Sequence, residues 1–391
     1  MAIGLPDMVS FWEKAFEKGL LDSIDSVCPY VLAPKGALRG DENSTNQATI
    51  LRRLIQTASM GKGKISCDLE DLFDYIHSCP ILSLKQIDVE ALKKTFYLYH
   101  TCERSNPSHG GNLSKTDFSN FVRNFAPYKS NIDTWLADVL GCIKLLRNRL
   151  YAAYLIDDSD QWTSNVENAM QCYSFLPQIF PKDNHPVIFT TNYDTVFDAL
   201  EVSGNLKALN LSLQNGVAYN EEKRRSYFAL KNYLQDKTGS TLFLFRMHGS
   251  VAWERKERKG RSAIIDHFPN KHSIRAEIIE PVISKELPRT EPFRGLYNIF
   301  KQVIQTNNVL ISIGFSYRDD AIRAIIEEAL EKNKFFQVIC IAPPCEKVPE
   351  IDRFMSELEN NYGDRFHWMK ERFGIQETAQ KIVESVRNIL M

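Results

Sequence analysis

The chain has 391 residues, 43% hydrophobic and 25% charged, with 48 Lys and Arg against 49 Asp and Glu. That length suits two domains or one domain with a large insertion, and the balanced charge supplies no global field for nucleic acid. No apolar run reaches the ~18 residues of a membrane-spanning helix, and no basic stretch with an apolar core opens the chain, so the sequence predicts a cytoplasmic protein with no membrane partner.

The first predicted element is a helix over residues 7–21, with Met8, Phe11, Trp12, Phe16 and Leu20 at helical spacing. Residues 29–64 are rich in Gly, Asn, Ser and Lys and read as loop, with a helix near 47–57. From 68 to about 180 the pattern is helical, with segments at 68–77, 88–99, 115–125 and 131–156. The last of these repeats Leu136, Val139, Leu140, Ile143, Leu146 and Leu150 at steps of three and four. The eight cysteines, dispersed from Cys28 to Cys345, never fall at C-x-x-C spacing, which predicts reduced thiols and no structural zinc.

The character changes at Pro181. Residues 186–191, 241–247, 309–313 and 335–341 are short, nearly continuous apolar runs, as parallel strands buried on both faces require. Helical stripes flank the third run. Leu296, Ile299, Phe300, Val303 and Ile304 precede it, and Ile322, Ile325, Ile326, Ala329 and Leu330 follow it. Strand, helix, strand at this spacing is a βαβ unit. Residues 205–240 and 254–275 are polar and read as loops or small insertions, and 347–391 as two closing helices about a turn at Asn361-Tyr362-Gly363-Asp364. The basic runs around Arg224 and Arg258 carry mixed charge and read as solvated turns. The expected fold is α/β, a doubly wound, mostly parallel Rossmann-like sheet with a large helical insertion. Its expected divisions are 1–28 as the start of the α/β domain, 29–180 as a helical module and 181–391 as the main α/β domain.

Three short segments end such apolar runs, where open α/β sheets bind their ligands. They are Thr191-Asn192-Tyr193-Asp194, His248-Gly249-Ser250, and Gly314-Phe315-Ser316 followed by Asp319-Asp320. Asp194 opens a helix and can serve it simply as a cap, whereas Asn192 has no such routine duty and suits a ribose hydroxyl or an attacking water. His248 is a base candidate near neutral pH, and Gly249 permits close approach to the backbone. Trp253 reads as packing. Gly314 and Ser316 lead into a helix N-terminus that suits a phosphate or ribose contact, and the two aspartates fit the helix dipole without a catalytic duty. Gly61-Lys62-Gly63-Lys64 lacks the upstream glycine of a phosphate-binding loop, and no Gly-x-Ser-x-Gly elbow or His-x-x-x-His pair exists.

In this order the segments resemble the sirtuin-like superfamily, and more closely the bacterial sirtuin-like NAD hydrolases of antiphage defence. The matching motifs are Thr191-Asn192-x-Asp194, His248-Gly249-Ser250 with Trp253, and Gly314-x-Ser316 with Asp319-Asp320. Gly4-Leu5-Pro6-Asp7 resembles the tail of the family's first glycine motif, with Gly4, Pro6 and Asp7 as cofactor contacts. The strand and Gly-Ala-Gly expected ahead of them are missing, so the reading frame is expected to extend upstream of Met1.

The resemblance implies that NAD is the substrate and that no metal takes part. Asn192 would position the nicotinamide ribose and the water, Asp194 would support it, and His248 would act as base. Thr191, Gly249, Gly314 and Ser316 would complete the contacts to the dinucleotide. The absence of zinc cysteine pairs points away from protein deacylation and towards hydrolysis to ADP-ribose and nicotinamide. A homo-oligomer and a separate sensor or ATPase partner are further expectations. The competing reading is a catalytically impaired module that binds NAD or ADP-ribose and acts through a partner protein.

Overall fold

The computed structural model describes residues 160–180, 185–234, 240–258, 261–269, 276–279, 287–344, 349–374 and 376–390. All of them belong to one compact unit. The helices expected before residue 160, and Gly4, Pro6 and Asp7, lie outside the described residues.

Two parallel three-stranded sheets carry the architecture. In the first, β1 (Val187–Thr190) and β2 (Ser212–Gln214) flank β5 (Thr241–Arg246) in the order β1-β5-β2. In the second, β9 (Val309–Ile313), β10 (Gln337–Ile341) and β11 (Phe366–Met369) lie in chain order, all parallel. Ahead of β1 come helices α1 (Asp160–Tyr173) and α2 (Leu176–Ile179), and after it α3 (Val196–Val202) and α4 (Asn205–Ala208). Helix α5 (Phe293–Thr306) leads into β9, α6 (Asp320–Lys332) crosses from β9 to β10, and α7 (Pro349–Tyr362) from β10 to β11. Helix α8 (Gln376–Leu390) closes the chain and packs on α1 and α2. The expected α/β class and the βαβ unit around β9 are both present.

The stripes on α5 and α6 form the core between these layers. Leu296, Phe300 and Ile304 of α5, and Ile322, Ile325, Ile326, Ala329 and Leu330 of α6, are buried in one cluster with Phe245, Val338 and Cys340. Phe189 of β1 packs edge-on against Phe300, with ring centroids 4.9 Å apart, so α5 serves the first sheet as well as the second. Among the described residues no helix is long and apolar enough to cross a membrane.

Much of the expected polar loop is sheet. Strands β3 (Val217–Asn220), β4 (Arg225–Phe228), β6 (Gly249–Arg258), β7 (Arg261–Asp266) and β8 (Ala276–Ile278) form a five-stranded antiparallel sheet in the order β3-β4-β7-β6-β8. Long charged side chains mask its pattern. Val251, Ala252 and Trp253 anchor β6 in the core, while its outer half, Glu254 to Arg258, is almost wholly ionic. On β7 the apolar anchors are Ile264 and Ile265 alone. Strand β11 was also hidden, just after the expected 361–364 turn, where a closing helix was expected. Phe366 and Trp368 point inward, and Trp368 donates its indole N–H to the Ala342 carbonyl at 2.9 Å.

Candidate active site

The last register pair between β1 and β5 is Thr190 opposite Arg246, and the Met247 amide still donates to the Thr190 carbonyl at 2.8 Å. Asn192 and His248 each stand two residues beyond that pair, on neighbouring parallel strands. Both therefore follow the same end of the first sheet, just past β1 and β5.

The two side chains differ in exposure. Asn192 is exposed, its amide N–H donating to Thr190 Oγ1 at 3.1 Å. His248 is 2% exposed. Asp194 is buried, and the Asn192 side chain lies close enough to favour its ionised form. The Asp194 carboxylate also accepts the Val196 amide at 3.1 Å at the start of α3. It thus ties down the first amide of α3, although Thr195 is the N-cap residue. Burial pushes the Asp194 pKa up, against the nearby Arg246 charge and the Val196 N–H. Tyr193, between them, is buried and donates its hydroxyl to the Ile279 carbonyl at 2.8 Å.

Arg246 was not singled out from the sequence. It is 2% exposed at the end of β5, pairs with Asp198 of α3, and donates to the Asp194 carbonyl. Asp198 in turn accepts from the Asn215 side chain at 2.7 Å. A lone arginine inside the run Phe245-Arg246-Met247 was the available signal, because a buried guanidinium requires a partner. Close by, Asp266 accepts the Phe268 amide at 2.8 Å and the Trp253 indole at 3.2 Å. Burial first, then the Asp198 charge, pushes its pKa up to about 7.

His248 reaches across to the second sheet. Its Nε2 lies 2.8 Å from Asp319 Oδ2 and 3.1 Å from the Tyr297 hydroxyl. Tyr297 is on α5, and Asp319 caps α6, with Oδ1 accepting the Ala321 and Ile322 amides at 3.1 Å each. Burial, and then the Asp319 charge, push the Tyr297 pKa up, so the hydroxyl keeps its proton. Asp319 was expected to serve only the helix dipole, and it contacts the candidate base as well. Asp320 does serve the dipole, and its carboxylate pairs with Arg323 at 2.6 Å.

The remaining expected contacts divide. Gly249 has φ +85, and a Cβ there would stand 2.1 Å from the Glu277 carbonyl, so the backbone that approaches it closely is β8. Gly314, at φ +64, turns its Cα face to open space after β9, and Ser316 and Thr191 are half-buried. The Ala321 and Ile322 amides at the start of α6 are taken by the Asp319 carboxylate. Tyr317 has φ +58 with its ring buried, an uncommon conformation for a bulky residue. Trp253 is fully buried against Phe228, as packing. Among the described residues no cluster of His, Cys, Asp and Glu is placed to hold a metal ion.

No curated protein matches the chain. Residues 186–363, which run from the approach to β1 to the end of α7 and hold all three strand-end segments, match the family described as the SIR2-like domain, and this segment is therefore similar to the sirtuin-like superfamily.

Proposed function

We propose that this chain is an NAD glycohydrolase that splits the bond between ribose and nicotinamide. The supporting observation is the equal displacement of Asn192 and His248 beyond one register pair, with Asp319 of the loop after β9 bonded to His248. In the reaction the C–N bond breaks with its electron pair going to the pyridinium nitrogen, so nicotinamide leaves neutral and needs no strong acid. Water adds to the ribose carbon, and its proton passes to His248. The exposed Asn192 carboxamide orients the ribose hydroxyls and the water, with Asp194 holding the carboxamide. Thr191, Gly314 and Ser316 are the proposed dinucleotide contacts. Depletion of NAD in antiphage defence, as a homo-oligomer working with a separate sensor or ATPase, is the cellular role that fits such an activity.

One observation favours a second reading. His248 is 2% exposed, as suits a structural histidine, and a module that only binds NAD or ADP-ribose would not need it uncovered. A fluorescent etheno-NAD analogue separates the two. Turnover by the full chain, lowered about 10²–10³-fold in Asn192→Ala, supports the hydrolase. Saturable binding without turnover supports the module. Because Asn192 is exposed, Asn192→Ala should keep the parent fold.

A further inference from the structure

We infer that Asp319 is the positioning residue of this site, fixing the ring of His248 with its proton on Nε2. The inference rests on the hydrolase reading for its kinetic part and on geometry alone for its tautomer part. Asp319 Oδ1 accepts two backbone amides at the first turn of a 13-residue helix. Those donors and the positive end of the helix dipole favour the ionised carboxylate. The Tyr297 hydroxyl, 3.5 Å from Oδ2, adds a third donor. An anionic Oδ2 only 2.8 Å from Nε2 requires a proton between them, and that proton belongs to the ring. Whether His248 is neutral or charged, Nε2 therefore stays protonated.

The groups facing the ring come from several elements. Asp319 belongs to the cap of α6 and Tyr297 to α5, while Tyr193, past the end of β1, has its ring centroid 6.3 Å from that of His248. Asp319 is the anion among these three. The loop that delivers it passes through Tyr317 at φ +58, a strained conformation for a bulky side chain. Packing of the Tyr317 ring on Phe315 and Phe366, at centroid distances of 4.9 and 5.7 Å, offsets it. The loop is thus held in the bend that presents Asp319 to His248. The pair links the end of β5 to the start of α6, so the ring is oriented only when both parallel sheets are in place.

The test compares the full wild-type chain with Asp319→Asn and Tyr297→Phe. Asparagine still caps a helix, so Asp319→Asn keeps α6 while removing the charge. Two-bond proton–nitrogen correlation in histidine-labelled protein, with the resonance assigned by its loss in His248→Gln, should show Nε2–H in the wild type. Asp319→Asn should lower kcat about a hundredfold or more, with KM changed by only a few-fold. Its rate profile should also move: without the adjacent anion the ring protonates less readily, so the acid limb falls at lower pH. Tyr297→Phe should lose less, because the carboxylate remains. A wild-type resonance showing Nδ1–H overturns the inference. So does an Asp319→Asn enzyme with parental kcat and an unmoved acid limb. A wild type that releases no nicotinamide overturns the hydrolase reading instead, and the tautomer measurement still decides the assignment of Asp319.

Discussion

At the scale of single residues, the ionic groups beneath the strand ends carry the clearest consequences. Arg246 and Asp198 are a buried pair, with side chains 2% and 8% exposed, and Asp194 and Asp266 both feel the same guanidinium. Replacing Arg246 by Leu strands these carboxylates, and the expected loss is about 3–5 kcal/mol, read as a lower urea midpoint. Asp266 makes stability depend on pH. Its folded pKa of about 7 lies above the unfolded carboxylate value near ~3.9, so its contribution is whole below about pH 4 and is lost as pH rises through about 7. Asp194, also pushed up, acts with the same sign. The urea midpoint of the wild type should therefore contain a component that falls between about pH 4 and pH 7, and Asp266→Asn should flatten that component. An unchanged slope in the variant would rule this assignment out. Neither Arg246 nor Asp266 was legible as a partner in the sequence. The contacts join residues up to 52 positions apart, and residue type alone carries no distance.

At the scale of elements, legibility followed continuous apolar sequence more than depth of burial, since β10 is largely buried while β1 is half-buried with Val187 exposed. Strands β1, β5, β9 and β10 are nearly continuous apolar runs, and α5 and α6 present stripes that the core uses. The antiparallel sheet was not legible, because β3 and β8 have no fully buried residue, β4 buries Phe228 alone, and the outer half of β6 is charged. Strand β11 shows the same effect, with His367 between Phe366 and Trp368. Asn192 and His248 were legible by position because strand ends are readable. The link from His248 to Asp319 was not, because it needs the docking of α6 against the end of β5. Two variants test these assignments by thermal or urea unfolding. Phe300→Ala, in the core shared by both parallel sheets, should cost about 3–5 kcal/mol. Gly249→Ala adds a Cβ 2.1 Å from the Glu277 carbonyl at φ +85, so β8 must give way. That change should destabilise the protein by more than the ~1 kcal/mol typical of point variants. A Gly249→Ala protein as stable as the parent would show that β8 does not pack there.

At the scale of the whole molecule, the His248–Asp319 bond joins the end of β5 to the start of α6 at the candidate chemistry. The exposed amide of Asn192 and the buried imidazole of His248 stand on the same rim at different depths. Turnover therefore requires the dinucleotide to reach the ring, by displacing whatever covers it when no ligand is bound. A crystal structure of the full chain with a non-hydrolysable NAD analogue tests this most directly. The account predicts the nicotinamide ribose between the two side chains, with a His248 ring nitrogen within about 2.6–3.2 Å of a ribose hydroxyl or of one bridging water. An analogue bound elsewhere, or bound at this rim with His248 still sealed beneath it, would contradict the account.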